Sequence, residues 1–202
     1  MNMRGKAKGI FCIEGDWQGS LKRPATVEPI MRLLAESHLP RVPYIHRNNG
    51  TWEELERNLR LWTQRRYHDH PILYLGFHGS EGAVFVGDGR CPTNTLDLDW
   101  FGDRLEGRCR GRLIHFSSCA MFDLHGHNLN RFLRQTEAAA VSGYRENVGW
   151  MESSAFEVFF LSRLQRWTFL RIGLRAITAH VMSKSGVGPL AKQLGFRMTW
   201  LT

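Results

Sequence analysis

Four short blocks of this sequence are apolar at consecutive rather than alternate positions: KGIFCIEG (8–15), PILYLGFHG (71–79), RLIHFSSC (112–119) and AAAVSGY (138–144). A strand with one face in water alternates apolar and polar side chains, whereas a strand apolar throughout has both faces covered. Between the blocks the spacing changes to that of amphipathic helices. Buried strands joined by helices imply an α/β fold with a mostly parallel central sheet and helices on both faces.

The connecting helices are legible from their stripes. Val27, Ile30, Met31 and Leu34 recur at helical spacing and precede a further extended piece, VPYIHR (42–47). In GTWEELERNLRLWTQRRYHDH (50–70), Thr51 and Glu54 form a capping-box pattern, and Trp52, Leu55, Leu59 and Trp62 share one face. After PILYLGFHG, the segment GAVFVGDG (82–89) predicts an extended hairpin partner and LDLDWFGDRLEG (96–107) a short helix. Helices are expected over GHNLNRFLRQTE (126–137), over SSAFEVFFLSRLQRW (153–167), which packs Phe156, Phe159, Phe160 and Leu164, and over FLRIGLRAITAHVMSKS (169–185). The terminal GFRMTWL (195–201) predicts an edge strand.

A chain of 202 residues, 43% of them hydrophobic, fills one core, so residues 1–202 are expected to form one domain. No run approaches the ~18 apolar residues of a membrane span, and MNMRGKAKG lacks the apolar stretch of a secretory signal. The expectation is a cytosolic protein without a membrane partner. The formal net charge is +8, carried mainly by arginines scattered through segments such as ERNLRLWTQRR and FLSRLQRWTFLRIGLR. Such a balance favours acidic partners, but scattered arginines are usually solvated helix faces, and no nucleic-acid motif is present. Nucleic acid is therefore a disfavoured partner. The four cysteines, Cys12, Cys91, Cys109 and Cys119, include no C-x-x-C pair, so free thiols are expected.

Reactive groups of open parallel sheets gather beyond the carboxyl ends of the strands, where His78 and Cys119 both fall. Consecutive strand-helix units place their strands side by side, so the two ends can meet. An imidazole can take the thiol proton, and the thiolate is a strong nucleophile. Gly79 admits a bound carbonyl close to the backbone, and the N–H groups of Gly79 and Cys119 are a candidate oxyanion hole. A lone histidine or cysteine at a strand end is more often packing or capping, so the weight rests on their joint placement. Cys119, His125 and His127 also offer three metal ligands, but their spacing fits no standard zinc motif. No metal or cofactor is expected.

An apolar block ending in His-Gly, followed by one ending in Ser-Ser-Cys, resembles the caspase-like cysteine peptidases, and among them the CHAT branch. The likeness runs over roughly residues 70–165, with KGIFCIEGDW matching the family's first strand and AAAVSGYRENVGWMESSAFEVFFLSRL its next strand, specificity loop and aromatic helix. It implies a caspase-like three-layer sandwich and a cysteine endopeptidase with His78 and Cys119 as its dyad, Cys12, Cys91 and Cys109 being bystanders. Cys119 is followed by Ala120 and Met121, so the caspase pentapeptide around the nucleophile is absent, as is the metacaspase Asp-x-Cys-His-Ser-Gly. Neither an aspartate preference nor calcium activation carries over.

The family builds its specificity pocket from the loop after the first strand and the loop after the strand following the cysteine. Here those loops hold Asp16 with Trp17, and Arg145, Glu146, Trp150 and Glu152. Carboxylates there would pair with a basic residue before the scissile bond, whereas Arg145 would favour aspartate. The carboxylates Asp16, Glu146 and Glu152 outnumber Arg145, so a basic preference is expected. Glu152 equally suits the first turn of a helix, and Arg145 and Glu146 suit a solvated loop. The implied partners are a protein or peptide substrate and an activating protein, in a bacterial defence or cell-death module. The rival readings are a silent binding module on the same fold and another thiol enzyme acting on small molecules.

Overall fold

The computed structural model describes residues 6–17, 22, 25–37, 40–87, 94–184 and 186–201, so Cys91 lies outside the described residues. The chain begins with β1 (Ile10–Glu14), α1 (Glu28–Ser37), β2 (Tyr44–Asn48), α2 (Trp52–Trp62) and β3 (Ile72–Gly76). The short strands β4 (His78–Ser80), β5 (Ala83–Phe85) and β6 (Thr95–Asp97) lead into α3 (Leu98–Leu105), β7 (Leu113–Ser117), α4 (Gly126–Thr136) and β8 (Ala140–Tyr144). It ends with α5 (Trp150–Leu164), α6 (Arg171–Val181), α7 (Gly188–Gln193) and β9 (Phe196–Thr199).

The six-stranded sheet has the order β2-β1-β3-β7-β8-β9, parallel except for β9, which pairs antiparallel with β8 at the edge. Every residue of β1, β3, β7 and β8 is buried, the physical reason their sequences carry no polar alternation. Alternate side chains feed two cores. Phe11, Leu75 and Phe116 meet α2, α3 and α4 on one face, while Ile10, Tyr74 and Tyr144 meet α1, α5 and α6 on the other. The expected mixed architecture, a mostly parallel sheet between two helical layers, is the one observed.

Helix ends explain where the observed elements depart from the sequence expectation. Thr51 accepts a hydrogen bond from the Glu54 N–H at 3.3 Å, and Glu54 accepts from the Gly50 N–H at 2.9 Å, so α2 starts where its cap requires. It stops at Trp62 because Arg112 donates to the Trp62 carbonyl at 2.7 Å and Trp62 donates through its indole to His70 O at 2.8 Å. Residues Arg65–Tyr67 then form a 3-10 turn. Trp52 lies on the rim, 36% exposed, and Asn58 is buried in the helix face, donating to Asn49 Oδ1 at 3.0 Å. α5 starts at Trp150, earlier than the expected Ser153, and β6 and α7 carry too few residues to show a period.

Candidate active site

The register of the central strands brings His78 and Cys119 together. β3 and β7 pair in parallel from Ile72↔Leu113 to Gly76↔Ser117, a constant offset of 41 residues. His78 and Cys119 follow these last partners by the same two positions, so the chain delivers both from neighbouring strands at one level. Both line a cavity of about 270 Å³, together with Trp17, Val148, Trp150 and Glu157. A Cβ on Gly79 would lie 2.7 Å from the Cys119 carbonyl oxygen and 3.0 Å from the Ser118 Cβ, so this approach admits only glycine.

The backbone turns sharply after the cysteine. Ala120 has φ 49°, a left-handed conformation that costs a non-glycine residue about 1–2 kcal/mol. The turn is held by the Ala120 N–H donating to Glu146 O at 3.0 Å and the Gly82 N–H donating to Ala120 O at 3.3 Å. Cys119 is half-buried, and its sulfur accepts from the Val148 N–H at 3.5 Å.

His78 Nε2 lies 2.7 Å from the Trp17 carbonyl oxygen. A carbonyl only accepts, so Nε2 carries the proton, and in the neutral ring Nδ1 keeps the lone pair that a general base needs. Trp17 is fixed in turn by the fully buried Glu14 at the end of β1. That carboxylate accepts from the Trp17 indole at 2.6 Å, the Val27 N–H at 2.9 Å, His46 Nε2 at 2.5 Å and the Thr26 hydroxyl.

Burial alone would raise the Glu14 carboxyl, but hydrogen bonds from His46, Thr26, Trp17 and the Val27 N–H together hold it below its usual 4.5. A depressed carboxylate contributes stability that is complete above its unfolded value and lost as pH falls through the folded one. Wild-type protein is therefore expected to lose more stability than Glu14→Gln between about pH 5 and about pH 3, measured by urea unfolding at each pH. Equal slopes for the two proteins would show that Glu14 is not held in its ionised form.

The floor of the cavity is a second buried carboxylate. Glu157, 1% exposed, accepts from Tyr74 at 2.6 Å, Tyr144 at 2.9 Å and the Ser117 hydroxyl, with His115 Nε2 at 3.5 Å. Burial and then the nearby Glu157 charge raise both tyrosines well above their ordinary value, so their hydroxyls remain protonated donors. Trp17 and Trp150 meet edge to face, with centroids 5.0 Å apart, at the cavity wall.

Of the residues singled out in the sequence, His78, Cys119, Trp17 and Trp150 meet at this cavity, with Gly79 packed against the Cys119 turn. Asp16, Glu146 and Glu152 are exposed and are not among its lining residues, and Arg145 is exposed beside Asp123 at 3.7 Å. The sequence reading passed over Glu157, although its signal is present. It shares a buried helical stripe with Ser153, Phe156, Phe160, Leu161 and Leu164, where a carboxylate is out of place. His125 and His127 stack on each other at 5.7 Å, and among the described residues no three metal-ligating side chains cluster.

The thiols differ in access. Burial raises Cys109 to about 12 and, with the charges of Glu14, Glu157 and Glu28, pushes fully buried Cys12 well above its usual value. Brief iodoacetamide treatment at neutral pH is expected to modify Cys119 while leaving Cys12 and Cys109 unmodified, read by peptide mass mapping. Modification of Cys12 or Cys109 first would contradict this order.

The architecture defines the class: the fold is caspase-like. It is similar to the crystal structure of caspase-1 from Spodoptera frugiperda, with a TM-score of 0.56 over 98% of this chain and 88% of that one, at 11% identity. A family model described as "Family of unknown function (DUF6642)" matches residues 7–200, and the chain belongs to that family. No curated protein matches the sequence. Among the described residues, no helix is long and apolar enough to cross a membrane.

Proposed function

We propose that the protein is a cysteine endopeptidase of the CHAT type that cleaves a protein partner after a basic residue. The observation that carries this reading is the matched position of His78 and Cys119 beside one cavity floored by Glu157. The Cys119 thiol gives its proton to His78 Nδ1 as the sulfur bonds to the peptide carbonyl carbon. Collapse of the tetrahedral intermediate breaks the C–N bond, and the leaving amine takes the proton from His78. Water then attacks the thioester with His78 as base, releasing the acid and restoring the thiol.

Gly79 and Cys119 supply the oxyanion donors. The two-residue turn at Glu81-Gly82 is closed by the Ser80↔Ala83 pair, so Gly79, opposite Val84, falls at a pair that exchanges no backbone bonds. Its N–H is thereby directed away from β5. Trp17 and Trp150 suit the apolar stem of lysine or arginine, and Glu157 suits its charge. Asp16, Glu146 and Glu152 at the rim add a field attractive to basic segments. A place in a bacterial defence or cell-death module, with an activating partner, accords with the CHAT likeness.

The test is cleavage of a positional peptide library by wild type beside Cys119→Ala. Cleavage after lysine or arginine, lost in the variant, is the expected result. Cleavage retained by Cys119→Ala, or none by either protein with candidate partners added, would overturn the peptidase and favour a binding module.

A further inference from the structure

We propose that the end of the molecule opposite the dyad binds nucleic acid through its phosphates. The arginines that look scattered in sequence are gathered there by the topology. Five strands of the main sheet are parallel, so segments entering them lie at one end, away from His78 and Cys119. Arg41 precedes β2, Arg65 and Arg66 precede β3, Arg108 and Arg110 precede β7, and Arg166 follows α5, which descends to the same end. All six are exposed.

Helix C-termini attract cations, which offers a purely structural reason for basic residues here. That duty falls on two others. Lys8 donates to the Leu164 and Gln165 carbonyls at 3.0 and 3.3 Å, and Arg112 caps α2 from 2.7 Å. Among the described residues, only Arg110 of the six exposed arginines has a carboxylate at ion-pair distance, Glu137 at 3.0 Å. The end bearing the dyad is mixed in sign, with Asp16, Glu81, Asp123, Glu146 and Glu152 exposed beside Lys22, Arg47, Arg145 and Lys192. At the arginine-bearing end Glu36, Glu106 and Glu137 are exposed as well, against the six arginines.

The form of that face selects a phosphate polymer. Arg41, Arg65, Arg66, Arg108 and Arg110 follow the strand order β2-β1-β3-β7, a row about 15 Å long at the usual spacing of about 4.8 Å between strands. A row of guanidinium forks suits successive phosphates, each able to accept two hydrogen bonds. Arg66 lies over Tyr67 at 5.0 Å and Arg166 over Trp167 at 5.6 Å, each ring half-buried and packed against a core, so the guanidinium groups are held at the surface. Leu170 and Ile172, 71% and 84% exposed near Arg166, would instead suit a lipid surface.

The experiment is fluorescence anisotropy of labelled single-stranded and duplex oligonucleotides with the full chain, between about 50 and about 200 mM salt. The variant carries Arg65→Glu, Arg66→Glu, Arg108→Glu and Arg110→Glu, none of them in the catalytic machinery. Its melting curve and Cys119 alkylation rate report folding, and neither depends on peptide cleavage, so the two readings fail separately. Wild type is expected to bind with a steep salt dependence, and the variant to bind at least about 30-fold more weakly with a salt slope smaller by about 3–4. Equal binding by the variant, or no binding by wild type, would overturn the proposal. Binding to anionic phosphatidylglycerol vesicles without binding to oligonucleotides would overturn it in favour of a membrane.

Discussion

Replacing His78 by alanine is expected to slow peptide cleavage by about 10²–10⁴-fold, the usual worth of a positioned general base. The side chain is exposed and its polar anchor is the Trp17 carbonyl, so the melting temperature should hardly change. The same variant separates thiol activation from substrate binding. If Nδ1 takes the Cys119 proton, alkylation of Cys119 at neutral pH slows when the imidazole is removed, although no substrate is present. A His78→Ala protein with wild-type cleavage and an unchanged alkylation rate would leave Cys119 without a base and end the dyad reading.

The strands and the meeting of His78 and Cys119 at one cavity were legible because each depends on local chemistry. A strand buried on both faces must be apolar throughout, and His-Gly and Ser-Ser-Cys at two such ends mark where the sheet stops. The anchor of the His78 ring was not legible, because it is the backbone carbonyl of Trp17, and any residue supplies one. What fixes that carbonyl is Glu14, which in IFCIEG reads as the polar end of a strand although it is fully buried and accepts four hydrogen bonds. The exposed carboxylates Asp16, Glu146 and Glu152 drew attention in the sequence because loops are where specificity usually resides. Glu157 was hidden inside FEVFF, where the aromatic neighbours point to packing. The arginine row is the same lesson at larger scale, since residues separated along the chain become neighbours only once the strand order is known.

Glu157→Gln is expected to lower selectivity for lysine or arginine over a neutral residue before the cut by about 10²-fold or more, the usual cost of leaving a buried charge unpaired. Tyr74, Tyr144 and Ser117 all donate to this carboxylate, and His115 Nε2 lies 3.5 Å away. Glutamine keeps the shape and one acceptor oxygen, so it removes the charge without emptying the site. Alanine is the wrong probe, because three buried hydroxyls would lose their acceptor at about 1–3 kcal/mol each and the sheet would loosen beneath the dyad. Measured as the ratio of kcat/KM for matched peptides, a loss confined to basic substrates identifies Glu157 as the partner of the substrate cation. An equal loss for every peptide would make Glu157 a structural anchor alone, and would move the choice of substrate outward to the carboxylates at the rim. The distinction matters for the mechanism, because a cation seated beside Glu157 also places the scissile carbonyl over Cys119, so charge recognition and chemical attack would be parts of one binding event.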